Sequence, residues 1–174
     1  NINITSNLPV KGGEILTDIE VASDNPNKLW VTFSGFSATE KVFYSINGGT
    51  SWVNMSTGLP NLPVTSIIYD KESQFLICGT DVGIYKYNTT LSKWERFGTG
   101  FPYTPVSKLR INNKTRELVV ATYGRGIWKA NLPCSNYTVS IDESATHNIY
   151  DCCNLRITNN ATLTIKKELL VQGD

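Results

Sequence analysis

The chain is poor in the residues from which most site chemistry is built. It holds a single histidine, His147, and a single methionine, Met55. A Ser-His-Asp arrangement is not plausible, because His147 lies far from any nucleophile motif. There is no P-loop, no Gly-x-Gly-x-x-Gly between a strand and a helix, and no EF-hand loop. No cofactor is expected. Charge of one sign is also lacking. Lys plus Arg is 16 and Asp plus Glu is 15, for a formal charge of +1. No basic surplus exists to displace counterions, so nucleic acid is not an expected partner. With 40% hydrophobic and 18% charged residues the chain is no acidic disordered tail. No apolar run approaches the roughly 20 residues of a membrane span. The chain opens on Asn1 with neither an initiator methionine nor a signal peptide and is expected to be part of a longer one. Its 174 residues suffice for one domain, or one and a half.

Four cysteines are present. Cys78 ends an apolar run, Gln74-Phe-Leu-Ile-Cys78, and reads as a buried free thiol. Cys134, Cys152 and Cys153 lie outside any such run. Adjacent cysteines rarely bond each other, so a disulfide from Cys134 to Cys152 or Cys153 is expected, with the choice open. Zinc is the rival reading. It is weak, since there is no C-x-x-C pair and one imidazole, and no metal site is expected. Six Asn-x-Ser/Thr tripeptides, at Asn3, Asn54, Asn88, Asn113, Asn136 and Asn160, offer glycosylation acceptors. An exported protein is the expectation.

What the chain does contain is a repeat. Trp52-Val-Asn-Met-Ser-Thr-Gly-Leu-Pro60 matches Trp94-Glu-Arg-Phe-Gly-Thr-Gly-Phe-Pro102, and both match Asn1-Ile-Asn-Ile-Thr-Ser-Asn-Leu-Pro9. After each proline come an alternating strand, a polar turn, and a more apolar strand: Leu29-Trp-Val-Thr-Phe33, Phe75-Leu-Ile-Cys-Gly79 and Leu118-Val-Val-Ala-Thr122. The apolar character predicts cover on both faces. A third strand follows, at Val42–Ser45, Gly83–Lys86 and Gly126–Lys129, and the fourth opens the next match. Four short strands in about 42 residues make a β-propeller blade. Blade one runs from about Ile15 to Met55, blade two from about Val64 to Phe97, and blade three from about Val106 to Ala130. Residues 1 to 5 give the outermost strand of a preceding blade. Cys78 aligns with Thr32 and Ala121 as a small residue where blades approach closely. The fold class expected is all-β, a partial propeller of about three blades over residues 1–130. Closed rings need roughly four to eight blades, so this is the C-terminal arc of a larger one. Trp30 and Val31 are expected to face water on its open flank, and the arc to be bound to the remainder of its own chain, a partner or another copy.

Ser45-Ile-Asn-Gly-Gly-Thr-Ser-Trp52 resembles the Asp-box of the bacterial neuraminidase (BNR) repeat, with Asn47 in place of the aspartate. The resemblance implies a turn between the third and fourth strands, held by Ser45, Asn47 and Gly49, with Trp52 packed beneath. Thr122-Tyr-Gly-Arg-Gly-Ile-Trp128 is similar to the ending of sortilin-like propellers in exported Bacteroidota proteins. Residues 131–174 read as a linker and the start of a second β-rich segment, solenoid- or sandwich-like. Within it Asn160-Ala-Thr-Leu-Thr-Ile165 resembles rungs that often precede a type IX secretion sorting domain.

The resemblance specifies a fold more sharply than a function, since sialidases, xyloglucanases, sortilin-type receptors and photosystem assembly factors share it. In related propellers ligands meet the loops between strands two and three and those between blades. Here these carry Phe36, Glu40, Asp81, Phe101, Tyr103, Tyr123 and Arg125, and Phe36, Asp81, Tyr103, Tyr123 and Arg125 are the ligand-face candidates. Trp52 and Trp94 are core anchors. Asp81 and Glu40 have no motif around them, so no catalytic residue is assigned. Of the five arginines only Arg125 falls clearly on a ligand-side loop. The reading is a non-catalytic exported or cell-surface module that binds protein or glycan. The alternatives are the back half of a xyloglucanase- or sialidase-like glycoside hydrolase and a structural spacer of a large secreted adhesin.

Overall fold

The structure is a computed structural model that describes residues 1–5, 8, 14–133, 136–139 and 154–157. Cys134, Cys152, Cys153, His147 and the Asn160–Ile165 stretch lie outside the described residues. The chain divides into two units, Asn1–Leu132 and Pro133–Asp174.

The first unit is three antiparallel sheets in chain order. Blade one is β1 (Leu16–Val21), β2 (Leu29–Phe33), β3 (Val42–Ser45) and β4 (Val53–Asn54). Blade two is β5 (Val64–Asp70), β6 (Phe75–Thr80), β7 (Gly83–Asn88) and β8 (Lys93–Arg96). Blade three is β9 (Val106–Asn112), β10 (Glu117–Thr122) and β11 (Ile127–Asn131). Each is a meander whose neighbours in sequence are neighbours in the sheet, and no helix occurs among the described residues. The second unit holds β12 (Asn136–Val139) and β13 (Asn154–Ile157), which pair in parallel.

Blades meet face to face, and strand alternation sorts the side chains between the two interfaces. Trp30, Val42, Ile67, Leu76, Cys78 and Trp94 pack between blades one and two. Ile77, Ile84, Leu109, Leu118 and Val120 pack between blades two and three. Two tryptophan N–H groups tie the repeats together: buried Trp94 donates from Nε1 to the Met55 carbonyl at 2.6 Å and half-buried Trp52 from Nε1 to the Ile4 carbonyl at 3.0 Å.

Three expectations change. Trp30 does not face water. It stacks between Tyr44 and Tyr69, with centroids at 5.4 and 4.9 Å. Val31 is buried too, on the opposite face with Leu8, Phe33 and Phe43. Second, Cys78 is a buried free thiol, but it lies one residue off the small position. Cys78 pairs with Ile67 as Val31 pairs with Ile19 and Val120 with Leu109. The close approach falls on Gly79, equivalent to Thr32 and Ala121, where an added Cβ would run into the Val106 side chain. Third, β10 is covered on one face only: Leu118 and Val120 are buried against blade two, while Val119 and Ala121 on the other face are half-buried. An apolar strand reports the faces it is suited to bury, and the described residues cover one of them.

The inner strands repeat one device. Each has a register shift at its second residue. There Thr17 donates its hydroxyl proton to the Val64 carbonyl at 2.6 Å, and Thr65 to the Val106 carbonyl at 2.5 Å. One residue on, Asp18 accepts the Ile67 N–H and Ser66 accepts the Leu109 N–H. Lys108 places its ammonium 3.0 Å from both Asp18 carboxylate oxygens. Burial alone would raise the Asp18 carboxyl; Lys108, the Ile67 N–H and the Ser66 hydroxyl outweigh it and hold the group below its ordinary value.

Candidate functional site

The β2–β3, β6–β7 and β10–β11 turns share one end of the blades with the blade-to-blade connections. In blade one Ser56 Oγ, just past β4, accepts the Lys41 and Val42 N–H groups at the start of β3. In blade three the Tyr123 N–H donates to the Pro105 carbonyl at 2.8 Å and Thr104 donates its hydroxyl to the Tyr123 carbonyl. The β3–β4 turn is at the other end, where the Gly48 N–H reaches the Asn27 carbonyl of the β1–β2 turn. In that turn the Asn47 carboxamide oxygen accepts the Ser51 N–H and the Ser45 hydroxyl, while Ser45 Oγ accepts the Gly49 N–H. Gly48 and Gly49 take φ of 66° and 86°, which a side chain would strain.

Two groups of side chains form at the connection end. The first lies between blades two and three. Arg96, the last residue of β8, donates to the Val82 carbonyl at 3.1 Å and to the Phe101 carbonyl at 2.9 Å. So pinned, its guanidinium carbon lies over the Tyr103 ring, 3.5 Å from the centroid, a cation–π contact of the kind arginine favours. Tyr103 is otherwise exposed. Arg96, Gly98, Thr99, Gly100, Phe101 and Tyr103 line an open groove of about 620 Å³. Tyr123 and Arg125 are exposed on the neighbouring turn. There the Trp128 indole N–H donates to the Arg125 carbonyl and packs edge-on to Phe101 at 5.7 Å.

The second group lies between blades one and two. Lys41 is fully buried and donates to the Gly35 carbonyl at 3.0 Å. Burial pushes its ammonium below the usual lysine range, against the opposing pull of Glu14 and Asp81. Glu14 Oε2 is buried with no hydrogen-bond partner. Phe36 stands exposed beside Gly35 and Asp81 is half-buried. Arg96 joins the two groups through Val82, the residue after Asp81.

Tyr103, Tyr123 and Arg125 thus collect on one rim, and Phe36 and Asp81 on the adjoining one. Arg96, Lys41 and Glu14 were missed. Arg96 belongs to a strand, and its long side chain carries the charge to the loop end, so Arg125 is not the only arginine there. Lys41 follows Glu40 in a polar stretch that reads as solvated, and no signal in the sequence marks it as buried. Among the described residues no three His, Cys, Asp or Glu side chains gather as a metal site would need.

No family model and no curated protein matches the chain. Solved structures do. The GH74 xyloglucanase of Xanthomonas campestris aligns at a TM-score of 0.52 and 9% identity over 66% of this chain and 20% of that one. The extracellular domain of BT4673 from B. thetaiotaomicron aligns at 0.56 and 15% identity over 72% of this chain and 17% of that one. The chain therefore spans about a fifth of the length of the proteins it is similar to. At such identities the likeness speaks of fold alone: the first unit is an arc of a β-propeller.

Proposed function

We propose that this arc belongs to an exported, cell-surface propeller that binds a protein or glycan at the connection end of its blades, without catalysing a reaction. One observation carries the reading. Arg96 is fixed by two carbonyls and backs one face of Tyr103, so the other face is a pre-set plate beside an open groove. Aromatic rings held this way give contact area at little entropic cost. Tyr123 and Phe36 extend the exposed aromatic surface. The hydrogen-bonded turn at Ser45–Trp52 supports membership among BNR and sortilin-like propellers. The Asn-x-Ser/Thr sites and the cysteines of residues 134–153 support export. Binding of the 174-residue protein to an array of plant and host glycans, xyloglucan included, tests this. Tyr103→Ala should weaken the strongest interaction about tenfold, equivalent to about 1.4 kcal/mol, with the strand spectrum unchanged. Release of reducing ends from xyloglucan, or binding indifferent to Tyr103, Tyr123 and Phe36 alike, would overturn the reading.

A further inference from the structure

Asn47-Gly48 is the chain's one Asn-Gly pair, and it sits in the β3–β4 turn of blade one. Glycine carries no Cβ, so its backbone nitrogen is the least shielded that can follow an asparagine. Such a nitrogen can attack the carboxamide carbon of the residue before it. Asn47 is exposed, so water reaches the pair. The corresponding turn of blade two joins Asn88 to Thr89, whose branched side chain crowds the nitrogen.

The folded turn engages both reacting groups in hydrogen bonds. The Gly48 N–H donates to the Asn27 carbonyl at 3.0 Å. Asn47 Nδ2, the leaving group, donates to Ser51 Oγ at 2.9 Å. The carboxamide oxygen accepts the Ser51 N–H and the Ser45 hydroxyl, each at 2.9 Å. The main-chain carbonyl of Asn47 is fixed as well, by the Thr50 N–H and hydroxyl at 3.3 and 2.9 Å. Ring closure consumes the Gly48 N–H and releases Nδ2, so it cannot proceed without breaking the bonds to Asn27 and Ser51. The turn is also seated. Gly49 is buried against Ile4, where an added Cβ would come within 2.7 Å of that side chain, and its N–H donates to Ser45 Oγ at 2.9 Å.

We propose that Asn47 is a hydrolytic modification site gated by this turn. Closed, the turn keeps it as asparagine; open, it is converted to aspartate with loss of ammonia. The Gly48 nitrogen bonds to Cγ and gives up its proton, the Cγ–Nδ2 bond breaks, and Nδ2 leaves as ammonia. Water then opens the cyclic imide. Cleavage between Cγ and the Gly48 nitrogen gives aspartate. Cleavage between that nitrogen and the main-chain carbonyl carbon gives a β-linked residue.

The two products fit the turn differently. Aspartate keeps an oxygen for the Ser51 N–H and the Ser45 hydroxyl, and the Ser51 hydroxyl can turn to donate to the other oxygen. The β-linked residue adds a main-chain methylene before Gly48, which would carry Gly48 away from Asn27 and Gly49 away from Ser45 and Ile4. The aspartate form therefore closes again. It leaves a new negative charge at this end of blade one and takes the formal charge from +1 to 0. The inference is independent of the ligand-binding reading.

Peptide mapping of the 174-residue protein, held at mildly alkaline pH in buffer and in urea, tests it. Asn47 should convert in urea and at least about tenfold more slowly in buffer, because only the open fraction of the turn reacts. Ser45→Ala removes the acceptor of the Gly49 N–H. Ser51→Ala removes the acceptor of Nδ2 at an exposed position. Each should speed conversion in buffer and leave the rate in urea unchanged. Gly79→Ala, which loosens blade two against blade three, should not speed it. Asn47→Asp should melt as the wild type does. Equal rates in buffer and urea, no conversion in urea, or Ser45→Ala and Ser51→Ala proteins that convert no faster than wild type in buffer would overturn the proposal. So would faster conversion in Gly79→Ala, or an Asn47→Asp protein that melts well below the wild type.

Discussion

Replacing Arg116 by methionine should unfasten blade three from blade two. Arg116, in the β9–β10 turn, meets Asp70 at the end of β5 with two parallel hydrogen bonds, one of 2.9 Å from Nη1 to Oδ1. Both residues are buried. Burial alone would raise the Asp70 carboxyl. The guanidinium, with the Ser73 hydroxyl and N–H, outweighs it and holds the group below its ordinary value. Removing one partner of such a pair leaves a buried charge uncompensated, at a cost of about 3–5 kcal/mol. With a urea dependence of about 2 kcal/mol per molar, the unfolding midpoint should fall by about 2 M. Asp70→Asn combined with Arg116→Met should lose less than Arg116→Met alone, because neither charge is then stranded. The pH dependence gives the sharper check. In the wild type the folded carboxyl titrates below its unfolded value of about 3.9, so the pair's contribution is present above that value and drains away as pH falls through the folded one. In Arg116→Met, burial is opposed only by uncharged donors, the Ser73 hydroxyl and the Ser73 and Glu72 N–H groups, and the folded carboxyl moves up. The variant then loses less than the wild type in acid, so the gap between their midpoints should narrow from pH 7 to pH 4. A gap that does not change with pH, or a loss below about 1 kcal/mol at pH 7, would refute the reasoning.

Two further outcomes are expected. Gly79→Ala should lower stability by about 1–3 kcal/mol, read as a lower melting temperature, because the new methyl runs into Val106 of blade three; an unchanged melt would place the close approach elsewhere. The Cys78 thiol is fully buried and its pKa is raised by that burial, so a thiol-reactive disulfide should modify it only as fast as the protein unfolds, and peptide mapping that finds it labelled in native protein would refute its position.

The blades were legible because the repeat prints them. The Leu-Pro and Phe-Pro endings bound each unit, and alternation within Val64–Asp70 or Val106–Asn112 gives the strands. Alternation gives two faces without saying which one meets the next blade. Trp30 and Cys78 were therefore placed wrongly by one face or one residue, and only the cross-strand register corrected them. The exposed members of the candidate site, Phe36, Tyr103, Tyr123 and Arg125, could be found because loops declare themselves through Gly, Pro and polar residues. Arg96 and Lys41 could not. Their roles depend on how far a long side chain reaches and on what closes over it, and both are facts of tertiary packing.

The ties between blades also set a scale for assembly. Thr17 to Val64 spans 47 residues, Thr65 to Val106 41, Trp94 to Met55 39 and Arg116 to Asp70 46. Each closes a loop of about one repeat, so adding a blade costs nearly the same closure entropy wherever it is added. The chain can assemble by successive, similar steps, with no single long-range closure holding back the rest. Lys108 to Asp18 is the exception, at 90 residues. Doubling the loop adds only about 0.6 kcal/mol, but the contact has no partner to make until both intervening blade faces have met. It is placed to form last and to register that three consecutive blades are in order.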